Sequence, residues 1–271
     1  MNHRKLLKDK QRIIVKVGTA LITHEDGKIN LLNLEKLARV IAGLCNEGRE
    51  IILVTSGAVG TGMGIMNLNN KPENVAEKQA LASIGQAALL RMYETFFKEY
   101  NQIIGQVLLT RDGIEDPVRR RNAKNTIEKL LDMGVTPIIN ENDTVSTVEI
   151  EFGDNDMLSA LVAELINADL LIMLTTTDGV FTDDPKLNSN AKQVPTVMKA
   201  GEDLKGIVTN GSTGLGRGGM ESKIKAAEIC RQKNIDVVIA DGTESHVIYD
   251  ILEGGKYGTL FVSRSTDLKS T

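Results

Sequence analysis

The sequence predicts an α/β fold in which helices cover a mostly parallel sheet. Short apolar runs alternate with helical apolar patterns along most of the chain, the order that strand–helix–strand units produce. Several of the runs, such as Leu170–Leu174, are apolar throughout, as in strands that are buried on both faces. The 271 residues, 41% of them hydrophobic, are enough to build a large core.

The elements follow one another in a regular order. The run Arg12–Val17 predicts a strand that ends at a glycine turn, and the apolar spacing from Leu34 to Cys45 predicts a helix that Gly48 closes. The remaining predicted elements are the strand Ile51–Val54, the helix Val75–Tyr100, the strand Ile103–Leu109, the helix Val118–Met133, the strand Thr136–Ile139, a helix after Asp156, the strand Leu170–Leu174, a helix that opens near Gly219, the strand Val237–Ala240 and a short element near Gly258–Val262.

Composition argues against several classes of protein. The net charge of −4 argues against a positively charged surface that would attract nucleic acid. Aromatic residues, on which bases could stack, make up only 3% of the chain. No apolar run approaches the roughly 20 residues that span a bilayer, and residues 1–11 lack the apolar core of a signal peptide. Cys45 and Cys230 fall on apolar helix faces, as small buried thiols do in a reducing compartment. We therefore expect a cytoplasmic protein.

Two polar tetrads stand out between the fourth and fifth predicted strands. Asn140–Asp143 (NEND) and Gly153–Asp156 (GDND) flank a β-rich run, Val145–Phe152, and an apolar helix follows. Asp and Asn serve as helix caps and turn residues, but capping accounts for one residue in each tetrad. The surplus of acids and amides predicts a binding site, with Asp154 undecided between cap and ligand.

Glycine-rich turns predict anion sites. Gly57–Gly64 holds four glycines and follows Thr55 and Ser56 at the end of a predicted strand, which suits a nest of backbone N–H groups for a carboxylate or phosphate. The alternative is a tight turn that needs glycine only for its shape. A second loop, Gly214-x-Gly216-x-x-Gly219, matches the dinucleotide fingerprint, but no strand precedes it, and the Walker pattern is absent.

Two lysines at opposite ends of the chain lie at these candidate sites. Lys16 lies inside a predicted strand, where it either snorkels to water or is presented at the carboxyl edge of the sheet. Lys223 is expected in the first turn of a helix, where a cation opposes the dipole unless an anion is bound. Phosphoryl transfer relies on such positive groups, and Asp156 is the candidate to hold both. A carboxylate acceptor, with a pKa of about 4, needs no general base, in keeping with a chain of three histidines.

Taken together, five segments resemble the amino-acid kinase family over roughly residues 12–262. They are Val15–Thr19 (VKVGT), Val54–Ala58 (VTSGA), the two tetrads, and Gly218-Gly219-Met220-x-x-Lys223. The resemblance implies a three-layer αβα sandwich forming a single kinase domain over residues 1–271. Within it, a lobe of about residues 12–168 would bind the amino acid and a lobe of about residues 169–263 would bind ATP. The members most similar phosphorylate the γ-carboxylate of L-glutamate with ATP and Mg²⁺.

The resemblance also implies roles for individual residues. Lys16 and Lys223 would neutralise the transferring γ-phosphoryl group and Asp156 would orient both ammonium groups. Ser56 and Gly57 would hold the acceptor end of glutamate, and Asp143 and Asn155 its backbone groups. The nucleotide would be bound by Lys16, Thr175, Thr176, Arg217, Gly218, Gly219, Met220, Glu221, Ser222 and Lys223. Magnesium would arrive with ATP, and no protein metal site is expected.

Two departures and several alternatives accompany the resemblance. Thr176 stands where the pattern often has Asp, and no PUA domain is expected within these residues. Proline is expected as a feedback inhibitor, and the apolar stripe Leu81, Ile84, Ala88, Leu89, Met92 and Phe96 makes a homo-oligomer plausible. The alternatives are an acetylglutamate, carbamate or uridylate kinase, or a non-catalytic amino-acid sensor. A sensor predicts loss of Lys16 or Lys223, and both are present.

Overall fold

The computed structural model describes residues 3–68, 70, 72–146, 155–185, 187–204 and 217–264. Its strands form one sheet in the order β3-β4-β2-β1-β5-β7-β8-β6. The strands are β1 (Arg12–Val17), β2 (Glu50–Val54), β3 (Ile104–Leu109), β4 (Thr136–Glu141), β5 (Leu170–Thr175), β6 (Thr196–Val197), β7 (Asp236–Asp241) and β8 (Thr259–Phe261).

Helices connect most of these strands. A 3₁₀ helix, His3–Asp9, precedes β1. The α-helices are α1 (Thr19–Ile22), α2 (Leu31–Asn46), α3 (Ala58–Ile65), α4 (Val75–Glu99), α5 (Arg111–Glu115), α6 (Pro117–Asp132), α7 (Asn155–Leu165), α8 (Ala200–Asp203), α9 (Arg217–Gln232) and α10 (Val247–Leu252). Among these helices, none combines the length and the apolar character that crossing a membrane requires.

The sheet is mostly parallel, as predicted. Strand β1 pairs in parallel with β2 on one side and with β5 on the other, and β3, β4 and β7 extend the parallel arrangement outwards. The short strand β8 is antiparallel to β7. Because β1 lies at the centre, the residues at its carboxyl end are adjacent to the ends of both β2 and β5.

Both faces of the sheet are covered, which makes the fold a three-layer αβα sandwich. Alternate residues of β1 separate the two cores: Ile13, Val15 and Val17 pack with α2, α4 and α10, whereas Ile14 packs with α6, α7 and α9. This separation follows from the alternation of side chains along a strand. Lys16 has the parity of Ile14, so it points towards α7 and α9.

Most predicted elements are confirmed, and their differences from the structure are local. Strand β4 runs two residues further than predicted, through Asn140 to Glu141, so half of the first tetrad is strand. Helix α7 begins at Asn155, inside the second tetrad. Helices α1, α5, α8 and α10 and strand β6 were not predicted. The longest of them, α10, has six residues, so they are too brief to show a periodic pattern.

The apolar stripe of α4 is only partly buried in the core. Its buried residues are Leu81, Ala82, Gly85, Leu89, Tyr93 and Phe97. Ile84 is 37% exposed, and Met92 and Phe96 only flank the core. The sequence is apolar around more than one side of this helix, so periodicity alone did not identify which side faces the sheet.

Helix α4 packs unusually close to α3. A Cβ atom on Gly85 would lie 1.8 Å from the carbonyl oxygen of Ala58, and one on Gly62 would lie 2.0 Å from the carbonyl oxygen of Leu81. Only glycine permits this approach of two backbones. The contact fixes α3, and with it the turn that connects β2 to α3, against α4.

Candidate functional site

The polar residues singled out by the sequence meet at the carboxyl edge of the sheet. Val17, Thr55 and Thr175 lie at or just beyond the ends of β1, β2 and β5, which are neighbours in the sheet. In parallel sheets this edge is where ligands bind, because loops and helix N-termini converge there. The site has two parts. We call them the lysine cluster (Lys16, Asp156 and Lys223) and the acceptor cavity, a pocket whose lining includes Ser56, Asp143 and Asn155.

In the lysine cluster, two ammonium groups share one carboxylate. Lys16 Nζ lies 2.5 Å from Asp156 Oδ1, and Lys223 Nζ lies 2.9 Å from Asp156 Oδ2. Asp156 is fully buried, Lys16 is 2% exposed and Lys223 is 8% exposed. Charges so deeply buried are costly unless they are paired. The three side chains carry two positive charges and one negative charge, an excess that favours an additional anion.

The fold explains how residues so distant in sequence come together. The strand alternation directs Lys16 towards the layer formed by α7 and α9. Asp156 is the second residue of α7, where a carboxylate complements the helix dipole. Of the two interpretations open for Lys16, snorkelling to water is wrong, because its side chain is buried beneath these helices.

Lys223 lies deeper in its helix than predicted. It is the seventh residue of α9, in the second turn and not the first. The helix-dipole argument therefore does not apply to it. Its ammonium group is positioned instead by Asp156 and by the carbonyl oxygen of Gly219, to which Nζ donates at 3.1 Å. Ser222 Oγ also donates to Asp156 Oδ2, at 2.8 Å.

Beside the lysine cluster lies the acceptor cavity, with a volume of about 330 Å³. That volume is at the lower end of the range for small-molecule sites. Its walls come from the start of α1, the turn after β2, the start of α3, the first turn of α4, the end of β4 with the turn that follows it, and the start of α7. The described lining residues are Thr19, Ser56, Gly57, Ala58, Val59, Gly60, Lys78, Asn140, Glu141, Asp143 and Asn155.

Asn155 joins three walls of the acceptor cavity. Its Nδ2 group lies 2.6 Å from the carbonyl oxygen of Thr55, 3.0 Å from Ser56 Oγ and 2.7 Å from Asn140 Oδ1. Asn140 Nδ2 in turn donates to Gln86 Oε1 on α4, at 2.7 Å. Because the Asn155 amide nitrogen is engaged, its carbonyl oxygen is the group that it can present to a ligand.

The turn that carries Ser56 is held by the backbone conformation of Gly57 and by a buried hydrogen bond of Thr55. Gly57 has a φ of 95°, in the left-handed region where glycine is favoured, and it precedes the first residue of α3. Thr55 is buried, and its hydroxyl shares a 2.8 Å hydrogen bond with the hydroxyl of Tyr93 on α4. Burial raises the pKa of Tyr93, so its hydroxyl stays protonated and can donate.

The predicted nucleotide residues lie on the other side of β1. Thr175 ends β5, and its carbonyl oxygen accepts from the Gly242 amide at 2.8 Å, while the exposed Thr176 begins the following loop. Arg217 and Gly218 open α9. Met220 packs against the core, and Glu221 pairs with Lys225 at 2.7 Å.

Some predicted features lie outside the described residues. They are Gly153 and Asp154 of the second tetrad, most of the excursion that precedes it (residues 147–152), and the loop glycines Gly214 and Gly216. Among the residues that are described, no three His, Cys, Asp or Glu side chains form a group that could hold a metal ion.

Sequence reasoning missed several residues that line the acceptor cavity. Thr19 and Asn140 belong to segments that carried the resemblance, but neither was assigned a role. Lys78 was not singled out at all. Its one signal is its place in the first turn of α4, where a lysine opposes the helix dipole by a few tenths of a kcal/mol.

Residues 11–241 match the amino acid kinase family, and the chain belongs to that family. The chain is 44% identical over 265 residues to a glutamate 5-kinase of Clostridium perfringens, covering 96% of this chain and 98% of that relative. It is 50% identical over 259 residues to a glutamate 5-kinase of Caldanaerobacter subterraneus, covering 96% of this chain and 70% of that relative.

Solved structures share the fold. A UMP kinase from Bacillus anthracis superposes with a TM-score of 0.63 at 20% identity, covering 94% of this chain and 97% of that one. An isopentenyl phosphate kinase from T. acidophilum gives a TM-score of 0.64 at 19% identity, covering 93% and 100%. At this identity the likeness shows the architecture alone.

Proposed function

We propose that this protein transfers the γ-phosphoryl group of ATP to the γ-carboxylate of L-glutamate. The products are L-glutamyl 5-phosphate and ADP, and this reaction is the first step of proline biosynthesis. The similarity to glutamate 5-kinases over nearly the whole chain supports this acceptor. The observation that carries the proposal is the position of the lysine cluster next to the acceptor cavity, joined through the adjacent residues Asn155 and Asp156.

The chemistry follows from this arrangement. One oxygen of the γ-carboxylate attacks the γ-phosphorus, and the bond from that phosphorus to the oxygen bridging to the β-phosphate breaks. No proton has to be removed, because a carboxylate with a pKa of about 4 is ionised at neutral pH. Lys16 and Lys223 lower the barrier by neutralising the charge on the transferring group. Asp156 holds both ammonium groups in place, so that little reorganisation is needed during the reaction.

Recognition of the acceptor belongs to the acceptor cavity. Asp143 lines this cavity, and its carboxylate would bind the ammonium group of glutamate through a charge-assisted hydrogen bond. Ser56 and the backbone N–H groups from Gly57 onwards, at the start of α3, suit the γ-carboxylate. Asn155 can offer its carbonyl oxygen to the same ammonium group, in keeping with its expected contact with the backbone groups of glutamate. In this assignment residues 12–168 contribute mainly to the acceptor site.

The nucleotide belongs on the β5 and β7 side, within residues 169–263. Thr175, Thr176 and the segment Arg217–Lys223 are the proposed contacts, with Lys16 and Lys223 at the γ-phosphate. For Met220 and Glu221 we propose contacts through the backbone, since the Met220 side chain packs against the core and the Glu221 carboxylate pairs with Lys225. Magnesium is part of the substrate MgATP, where phosphate oxygens and water suit its preference for octahedral oxygen ligands.

Three expectations extend this proposal. Proline is proposed as a feedback inhibitor, because it is the end product of the pathway. Self-association is proposed through α4, on which Ile84 is exposed beside the buried face. A cytoplasmic location is proposed because Cys45 and Cys230 are both free thiols, as is usual in a reducing compartment.

An acceptor panel tests the proposal. ADP release is measured with L-glutamate, N-acetylglutamate, carbamate and UMP, and hydroxylamine is added to trap an acyl phosphate as its hydroxamate. We expect ADP release and hydroxamate with L-glutamate, and much slower turnover with the other three acceptors. Absence of glutamate-dependent turnover, or faster turnover with another acceptor, would contradict the proposal.

A further inference from the structure

Lys78 is an ammonium group in the wall of the acceptor cavity. It is half-buried and lies in the first turn of α4, whereas Asn155, another lining residue, lies at the start of α7. Of the charged residues that line the cavity within the described chain, Glu141 and Asp143 are acidic and Lys78 alone is basic. The proposed mechanism uses neither Lys78 nor Glu141.

The two ends of the substrate can be oriented within the acceptor cavity. Asn155 lines the cavity, and the next residue, Asp156, belongs to the lysine cluster. The Ser56 hydroxyl is bonded to Asn155, so the reacting γ-carboxylate belongs at the wall formed by Ser56 and Gly57, and the amino-acid head group belongs towards Lys78 and Asp143. The head group of L-glutamate carries one ammonium and one carboxylate.

Charge complementarity then distributes these two groups. Glu141 is only 9% exposed and already accepts from Ser146 Oγ at 3.0 Å, so Asp143 is the better partner for the ammonium. The α-carboxylate would face two acidic side chains unless a cation neutralised it. Lys78 supplies the positive charge at that wall.

The backbone beneath Lys78 is firmly placed. Asn74 caps α4, with its Oδ1 accepting from the Glu77 amide at 2.9 Å, and Gln79 Nε2 donates to the carbonyl oxygen of Ser146 at 2.9 Å. The close packing of Leu81 against Gly62 fixes the next turn. The first turn of α4 is thus held at the cavity wall by neighbours on both sides of Lys78.

We propose that Lys78 binds the α-carboxylate of the substrate and selects for amino acids in which that group is charged. This inference rests on the proposed function. It assigns Lys78 to substrate recognition alone, so it affects binding in the ground state and transition state equally and changes KM more than kcat.

The test compares L-glutamate with L-isoglutamine, which keeps the ammonium and the γ-carboxylate but has an amide in place of the α-carboxylate. Wild-type protein should prefer L-glutamate. In Lys78→Met, KM for L-glutamate should rise about 10- to 100-fold, the effect of losing one charge-assisted hydrogen bond. The kcat should stay within about threefold, and KM for L-isoglutamine should change little, so the preference collapses.

Three further proteins complete the experiment. Lys78→Arg keeps the charge and should restore part of the preference, and Lys78→Gln replaces Lys78→Met if the latter has a lower melting temperature. Lys98→Met removes an exposed lysine from the last turn of the same helix and should behave as wild type. Titration calorimetry with L-glutamate checks that the KM changes are changes in affinity.

The outcomes separate the two claims. If wild-type protein forms hydroxamate from L-glutamate but Lys78→Met retains its KM and its preference over L-isoglutamine, the assignment of Lys78 is wrong and the proposed function stands. A fall in kcat with an unchanged KM would also overturn the assignment. If wild-type protein neither binds nor phosphorylates L-glutamate, both claims fail.

Discussion

The acceptor cavity and the lysine cluster are adjacent, yet they are built from different interactions. In the cavity, the amides of Asn155 and Asn140 hold the walls together through neutral hydrogen bonds, and the space between them remains open. In the cluster, Lys16 and Lys223 are held by two ion pairs to Asp156 and are almost completely buried.

The difference follows from what each part must do. A recognition site can be arranged by neutral hydrogen bonds, each contributing about 1 kcal/mol, because the substrate brings its own charges. A site that neutralises a transferring phosphoryl group needs fixed positive charge, and this charge must be held by a counter-ion when no phosphate is bound. Substitutions in the cluster should therefore affect rate and folding, whereas substitutions in the cavity should affect substrate binding.

The largest effect is expected for Lys223→Ala. Loss of a positive group that acts on the transferring phosphoryl should lower kcat by about 1000-fold, with glutamate binding nearly unchanged. Steady-state kinetics and glutamate calorimetry measure the two quantities. Lys225→Ala, which removes an exposed lysine from the same helix, is the matched control. Similar losses in glutamate affinity and in rate would show that Lys223 is structural.

The next largest effect is expected for Asp156→Asn, measured as stability. The substitution leaves Lys16 and Lys223 buried without their shared counter-charge, so the free energy of unfolding should fall by about 3 kcal/mol. Urea denaturation monitored by circular dichroism measures this change. Glu221→Gln removes the exposed pair with Lys225 and should leave the free energy of unfolding nearly unchanged, because solvent screens that pair. Equal stability of the two variants would refute the buried-pair account.

A smaller effect, confined to binding, is expected for Asp143→Ala in the acceptor cavity. Removing the carboxylate proposed for the substrate ammonium should raise the glutamate KM about 10- to 100-fold and leave kcat within a few-fold. Initial-rate kinetics over a range of glutamate concentrations provide both values, and Asp132→Ala at the exposed end of α6 is the control. An unchanged KM would remove Asp143 from the substrate site.

The smallest effect is expected for Tyr93→Phe. It removes the hydroxyl that bonds Thr55 beneath the Ser56 turn, so stability should fall by about 1 kcal/mol and the glutamate KM should rise a few-fold. Tyr100→Phe removes a hydroxyl bonded to Glu35 at the other end of α4 and serves as the control. It should leave KM unchanged. Identical KM values for the two variants would mean that Tyr93 does not position the turn.

Much of the fold could be predicted because parallel strands that are buried on both faces have continuous apolar sequences. The run from Arg12 to Val17 has such a pattern, and Lys16 stands out in it as an anomaly that pointed to the site. The meeting of Lys16, Asp156 and Lys223 was expected from the family resemblance. Their distances and burial were not, because these depend on how α7 and α9 pack over β1.

Other features depend on tertiary contacts that leave no local pattern. Asn155 could be identified as a site residue, but its bonds to Thr55 and Asn140 require three strand and helix ends to meet. Lys78 lies in a polar first turn, typical of an exposed helix N-terminus, and only the sheet topology brings it to the acceptor cavity. Which part of the apolar stripe on α4 is buried could not be read from the sequence, because apolar residues extend around the helix.

The central claim is that the γ-carboxylate of L-glutamate attacks the phosphorus directly. It is tested by supplying glutamate with both γ-carboxylate oxygens labelled with ¹⁸O and trapping the product with hydroxylamine. Hydroxylamine attacks the acyl carbon, so the oxygen that joined carbon to phosphorus leaves with the phosphate. Mass spectrometry should find one ¹⁸O in each phosphate released with hydroxamate. Phosphate without ¹⁸O would show that water, and not the substrate carboxylate, had attacked ATP, and would contradict the account.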